Sequence, residues 1–241
     1  MKYAELREPV YEANRRLGES GLVVLTWGNV SGVDPERSLM AIKPSGVSYD
    51  ELRPEDIVVL DLKTGEAVDG KMRPSSDTLT HLEIYRAFDD VYGVVHTHSP
   101  YATAWAQLRK GIPAYGTTHA DTFYGTVPVT RLLTEEEVER DYEGETGRVV
   151  VEHFRQNRIK PLEMPAVLLP CHGPFTWGAT PAKAVENAVV LEEVARIASY
   201  MRDLRDRPDA QLETLPDFIL EKHYRRKHGP AAYYGQSKEE S

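Results

Sequence analysis

Among the 241 residues, the stretch Val94-Val95-His96-Thr97-His98-Ser99 limits the possible folds most strongly. Its apolar lead-in, Val91-Tyr92-Gly93-Val94-Val95, reads as a buried strand, and its polar end marks where a site would open. Side chains alternate along a strand, so His96 and His98 project to one side, about 7 Å apart at their Cα atoms. Two such imidazoles can share a divalent ion if further ligands arrive from elsewhere, or each can bond to backbone. Both alternatives need a sheet around this strand, and the metal alternative needs further ligands beside its end.

A third histidine stands at the end of another apolar run, Ala166-Val167-Leu168-Leu169-Pro170-Cys171-His172-Gly173, read as a buried strand. His96, His98 and His172 are the ligand set of an open catalytic zinc site. The single cysteine excludes a disulfide framework and a Cys-rich zinc module, and Cys171 reads as a small buried hydrophobe. Asp77 is the plausible carboxylate neighbour, as fourth ligand or as a base beside the metal.

The remaining segments are read from pattern. Tyr3 to Leu17 carries a helical stripe, and Leu22 to Trp27 is expected as a central strand ending in Gly28-Asn29-Val30-Ser31-Gly32. Leu39 to Ile42 is a short strand followed by Lys43-Pro44-Ser45-Gly46, and Ile57 to Asp61 another. Pro74-Ser75-Ser76-Asp77-Thr78 opens a helix through Phe88, where Ser and Asp would cap and an anion would be favoured. Pro100 to Leu108 reads as a helix with Trp105 and Leu108 buried, and Gly116 to Gly125 as a polar loop. Glu135 to Glu137 reads as a solvated helix start, Glu143 and Glu145 as a polar loop, and Val149 to Arg155 as a helix. Thr180-Pro181 starts a long helix to about Leu204; Arg202 to Leu215 reads as a loop and Leu220 to His228 as a short basic helix. One domain over residues 1–236 and a polar tail, 237–241, are expected.

A net charge of −9 argues against nucleic acid or an anionic membrane as partner, the brief basic stretch Lys222 to His228 notwithstanding. No apolar stretch approaches the ~18 residues of a membrane span, and Met1 to Glu8 is no signal peptide. A soluble, cytoplasmic protein is expected.

Seven segments in order resemble the L-ribulose-5-phosphate 4-epimerases of the class II aldolase/epimerase group. They are Thr26-Trp27-Gly28-Asn29-Val30-Ser31, Ile42 to Val47, Pro74 to Thr78, His96-Thr97-His98-Ser99, Gly116 to Asp121, Cys171 to Phe175 and Lys222 to Gly229. The resemblance implies a three-layer α/β/α fold around a mixed, mostly antiparallel sheet, and a homotetramer with sites at subunit interfaces. It implies Zn2+, or another divalent ion such as Mn2+ or Co2+, on His96, His98 and His172, with Asp77 at the metal. Phosphate and substrate would fall on Gly28, Asn29, Lys43, Ser45, Gly46, Ser75 and Ser76. Asp121 and Tyr234 would be the acid/base pair, Tyr234 arriving from a neighbouring subunit with its pKa lowered by the Arg225-Arg226-Lys227 cluster. Thr117, Glu143, His223 and Arg226 are second-rank candidates, and His119 stands in the same loop as Asp121.

The implied activity is an isomerase of carbohydrate metabolism, as in arabinose or ascorbate breakdown, interconverting L-ribulose 5-phosphate and D-xylulose 5-phosphate. The chemistry is consistent with that. The C4 hydrogen of a 2-ketose phosphate is not next to the carbonyl, so abstracting it yields no stabilised carbanion. Cleaving C3–C4 instead gives an enediolate that a Lewis acid stabilises, and a glycolaldehyde fragment bearing the phosphate, which rotates and is re-added on its other face. The alternative is a class II aldolase of the fuculose- or rhamnulose-phosphate type, a group that tends to carry Glu where this chain has Asp77. A non-catalytic, metal-stabilised sugar-phosphate sensor is the reading from another class.

Overall fold

The computed structural model describes residues 1–204, 213–228 and 232–233. Its centre is a seven-stranded sheet in the order β4-β3-β2-β1-β5-β7-β6. The strands are β1 (Asn29–Val33), β2 (Leu39–Ile42), β3 (Val58–Asp61), β4 (Ala67–Asp69), β5 (Gly93–His96), β6 (Ala166–Leu168) and β7 (Pro174–Gly178). Every strand pair is antiparallel. The one parallel contact near the sheet is a bridge between Val129 and Leu168 at its β6 edge.

Helices cover both faces, as the three-layer expectation requires. On one face α1 (Ala4–Glu19) and α6 (Pro181–Leu204) bury Ala13, Leu17, Ala184, Val185 and Ala188 against Val30 and Val95. On the other, α2 (Thr78–Ala87) and α5 (Glu135–Gln156) contribute Leu82, Tyr85, Val150 and Phe154, packed with Met40, Val94, Phe175 and Trp177. The period-two alternation of Val94 and Val95 thus feeds two separate layers. Three further α-helices, α3 (Pro100–Gln107), α4 (Thr117–Ala120) and α7 (Asp217–Lys227), and a 3-10 turn, Pro54–Asp56, complete the described elements.

Several expectations are corrected. Leu22 to Trp27 is not a strand: β1 begins at Asn29, opposite the last residue of β5, and among the described residues no strand pairs with the earlier ones to complete a ladder. The chain there turns, with Leu25 in the left-handed region and 79% exposed. Leu108 is exposed while Trp105 is buried, because α3 stops at Gln107. Glu143 and Glu145 lie within α5, which starts at Glu135 on a Thr134–Glu137 capping box and is interrupted at Asp141. The Gly116 to Gly125 loop contains α4. β6 ends at Leu168; Cys171 is exposed in a turn at φ 62°, so the Cys171–His172 pair is not extended chain. Tyr234, the 237–241 tail and most of the 202–215 loop lie outside the described residues.

Candidate metal centre

Strand register builds the site. β1, β5 and β7 run side by side, with Asn29 opposite His96 and His96 opposite Phe175. Asn29, His96 and Phe175 therefore form one row across the sheet, on the face that α2 covers. The turn before β1 approaches this row closely. Gly28 adopts φ +78°, and a Cβ there would meet the carbonyl oxygen of His96 at 2.7 Å.

His96 is oriented from two sides. Its Nδ1–H donates to the Pro174 carbonyl at 3.0 Å, and its ring stacks on Phe175 at 4.3 Å between centroids. That tautomer leaves the Nε2 lone pair facing outward, 3.0 Å from Nε2 of His98. His172 completes the group: one ring nitrogen from each of the three histidines lies within 4.8 Å of the others. Tetrahedral zinc with nitrogens at 2.0–2.1 Å would hold them roughly 3.3 Å apart. Burial lowers His98, and with His96 and His98 nearby it brings His172 down to about 4. Three imidazoles converging on one point, with no thiolate among them, fit a divalent ion with positions left open. Cys171 does not join them; its Sγ lies 3.7 Å from the Arg109 guanidinium.

Asp77 sits at the N-cap position of α2, yet its carboxylate makes no capping bond. It accepts instead from Asn29 Nδ2 at 2.7 Å, and Asn29 also donates to Ser75 Oγ at 3.0 Å. Burial pushes the Asp77 carboxyl up, but the His96 and His81 imidazoles and the Asn29 amide outweigh it and hold it below the usual range. Asp77 is not one of the three mutually close ligands, but it lines the same cleft.

That cleft, of about 400 Å3, gathers Gly28, Asn29, Lys43, Ser45, Gly46, Ser75, Ser76, Asp77, His96, His98 and His172. Two loops form its far wall, tied together by the Ser45 N–H on the Arg73 carbonyl and the Ser75 N–H on the Lys43 carbonyl. Gly46, at φ +72° with open space where a Cβ would stand, gives the first loop its turn. Lys43 is 1% exposed. Its ammonium has no carboxylate within ion-pair distance among the described residues, and lies 4.8 Å from the Tyr49 ring. Burial lowers its pKa to about 8. A buried cation so poorly matched by the protein suits an anionic ligand.

Sequence reasoning did not single out Tyr142 or Trp27. Tyr142 Oη is 3.5 Å from His172 Nδ1, and the Trp27 ring is 6.0 Å from His98. Tyr142 and Glu143 enter the cleft because α5 breaks at Asp141, whose carboxylate takes the Gly144 N–H and the Arg148 guanidinium. Asp141 and Gly144 flank the break, but nothing in the sequence pattern says where the turn would point.

Asp121 is not among the residues lining this cleft. It follows α4 and lines a separate depression of about 760 Å3 with Arg16, Lys183, Lys227 and His228. Arg226 grips it with two bonds, at 3.0 and 2.6 Å, and His223 and Lys227 add contacts at 3.1 and 3.3 Å. Burial raises this carboxyl, but Arg226, His223 and Lys227 outweigh it and hold it low. The Arg225-Arg226-Lys227 cluster is thus engaged with carboxylates, Arg225 taking Glu221. His119 is buried and bonds the Gly125 carbonyl at 2.7 Å, and burial lowers it to about 4.

An antiparallel sheet with helices on both faces and three strand-end histidines facing an anion-ready loop define an aldolase-type α/β protein. Residues 8–199 match the family described as Class II Aldolase and Adducin N-terminal domain, and the chain belongs to it. Among solved structures, an L-fuculose 1-phosphate aldolase is 28% identical, with a TM-score of 0.75 over 94% of this chain and 97% of its own. The L-fuculose-1-phosphate aldolase from Thermus thermophilus is 26% identical, at TM-score 0.65, over 83% of this chain and 99% of its own. YgbL from Klebsiella pneumoniae, titled a putative aldolase/epimerase/decarboxylase, shares the fold: 23% identity and TM-score 0.70 over 92% of this chain and 99% of that one. No helix among the described residues is long and apolar enough to cross a membrane.

Proposed function

We propose that this protein is a metal-dependent L-ribulose-5-phosphate 4-epimerase, working by cleavage and re-formation of the C3–C4 bond. The carrying observation is the cleft itself, which a triad of histidine nitrogens shares with two serine loops and a buried Lys43 whose ammonium meets the Pro44 carbonyl at 3.5 Å and no carboxylate among the described residues. Zn2+ is the ion this donor set suits best. When bound, it supplies Lewis-acid stabilisation of negative charge on adjacent substrate oxygens.

The chain's own groups do the rest. Lys43, Ser45, Ser75, Ser76 and the Gly28-Asn29 turn bind the phosphate end and fix the sugar's register. In the forward direction a base takes the C4 hydroxyl proton, the C3–C4 electron pair passes to C3, and glycolaldehyde phosphate (C4–C5) separates from the three-carbon dihydroxyacetone enediolate (C1–C3). Glycolaldehyde phosphate turns, C3 attacks its other face, and an acid returns a proton to the new C4 alkoxide. Two proton handlers on opposite faces are required, and Asp121 and Tyr234 are assigned to them. Asp121 belongs to a different depression of its own protomer, so this assignment goes with a homo-oligomer, a tetramer in our reading, in which neighbouring chains complete each cleft.

The fuculose-phosphate aldolases among the similar structures support a second reading, an aldolase that releases dihydroxyacetone phosphate and an aldehyde. Asp77 and the Tyr233-Tyr234-Gly235-Gln236 end favour the epimerase. Incubating the zinc-loaded protein with L-ribulose 5-phosphate separates the two. D-xylulose 5-phosphate without free aldehyde, abolished by a chelator, supports the epimerase; release of dihydroxyacetone and glycolaldehyde phosphate as the main outcome, or of lactaldehyde from L-fuculose 1-phosphate in a parallel incubation, makes it an aldolase.

A further inference from the structure

His81 is wholly buried on α2, one helical turn beyond Asp77, and its backbone N–H bonds the Asp77 carbonyl at 3.1 Å. Its Nδ1 is 2.6 Å from Ser31 Oγ, which in turn is 2.8 Å from Tyr85 Oη. Its Nε2 is buried and has no hydrogen-bond partner among the described residues. An apolar side chain would fill this layer without leaving a polar atom desolvated, so the imidazole is a costly choice for packing alone.

The neighbours of that ring explain the choice. Ser31 belongs to β1 and Phe175 to β7, the two strands that flank β5. His81 bonds Ser31 on one side and meets Phe175 edge-on at 5.6 Å on the other. Phe175 carries the stacked ring of His96 on its face. His81 therefore bridges over β5 and braces the surface against which His96 rests, while its helix presents Asp77 one turn earlier. Burial holds it neutral, with a pKa of about 3, so it does not compete as a charged group; Asp77 and His96 are the ionisable neighbours whose fields it feels.

We propose that His81 is a positioning residue of the metal centre, holding the His96 ring through Phe175 while the Ser31–Tyr85 chain holds His81 itself. The proposal rests on the metal-site reading above and makes no contact with substrate.

The test is titration of the full-length, metal-free protein with Co2+, following the visible absorption of the bound ion and the affinity. His81→Asn keeps an atom for Ser31 but removes the ring; affinity is expected to fall roughly 10- to 100-fold, with a changed absorption band. Ser31→Ala leaves the ring but frees it, and a smaller loss in the same direction is expected. His81→Phe restores a ring against Phe175 but not the bond to Ser31, and should show the smaller loss of Ser31→Ala rather than that of His81→Asn. Ile84→Val, a buried change on the same helix, is the control for general loosening, and thermal unfolding of each metal-free variant calibrates it. Wild-type affinity and band shape in both His81→Asn and Ser31→Ala would overturn the proposal. So would equal losses in Ile84→Val at matched stability. If the unaltered protein takes up no Co2+, the metal reading itself fails and this proposal falls with it; if it does and the variants match it, only the positioning role is lost.

Discussion

In the metal cleft, His96 hangs from a strand end, stacked on Phe175 and bonded to backbone, and its direction is settled by sheet register. Asp121, by contrast, is held at the surface between α4 and α7 by Arg226, Lys227 and His223, side chains that are each between 23% and 29% exposed. The first region is set by packing within one protomer; the second is a charge cluster whose geometry depends on a terminal helix. A close-packed row of rings has few alternatives, so it can be preorganised for an ion. Partly solvated ion pairs are worth less and are screened by salt, so the corner can be remodelled when a partner arrives. In the function proposed above, ion binding is a property of the protomer and proton transfer a property of the assembly.

The largest expected effect breaks the first region outright. His98→Asn should abolish turnover and stoichiometric metal uptake together, checked by elemental analysis and product assay. Turnover retained without metal would remove the triad from the chemistry.

Asp121→Asn sharpens the comparison. Turnover should fall about 10²- to 10⁴-fold while metal content stays unchanged. A parallel loss of metal would mean that the two regions are not independent.

A smaller effect is expected at Lys43, whose charge binds the anion in our reading. Lys43→Met should raise KM roughly 10- to 100-fold, as for loss of a charge-assisted bond. The ammonium is charged below its pKa of about 8, so KM of the unaltered enzyme should rise as pH increases through 8. The phosphate's own second ionisation is complete by then, so it does not mask the trend. A flat KM between pH 7 and 9 would move the anion elsewhere.

The last effect is on stability. His81, His119 and His172 are held neutral by burial, at about 3, 4 and 4, below an unfolded value near 6.5. Above pH 6.5 neither state is protonated and the shifts cost nothing. As pH falls from 6.5 towards 4 the unfolded chain takes up protons that the folded one refuses, and stability drops by on the order of a few kcal/mol. Chemical denaturation of the metal-free protein at pH 7.5 and 5 measures this. His119→Asn should reduce the slope without touching metal affinity, since His119 is bonded to Gly125 in the other region.

The sequence alone carried much of this. Apolar runs with polar ends located β2, β3 and β5, because burial and period-two alternation are local properties. The spacing of His96 and His98 put both on one side of a strand end for the same reason. Strand order was not legible: that β1 and β7 flank β5, and so set Asn29 and Phe175 beside His96, depends on pairings between segments up to 85 residues apart. Leu22 to Trp27 shows the limit from the other side. Its composition suits a strand, but only a neighbouring edge can make it one, and among the described residues none extends that far. The break at Asp141 that brings Tyr142 to the metal cleft, the exposure of Cys171 and the placing of Asp121 in a separate depression were likewise decided by tertiary contacts. Propensity and periodicity report what a segment can bury; which partners it buries against, and where its side chains then converge, is a property of the folded whole.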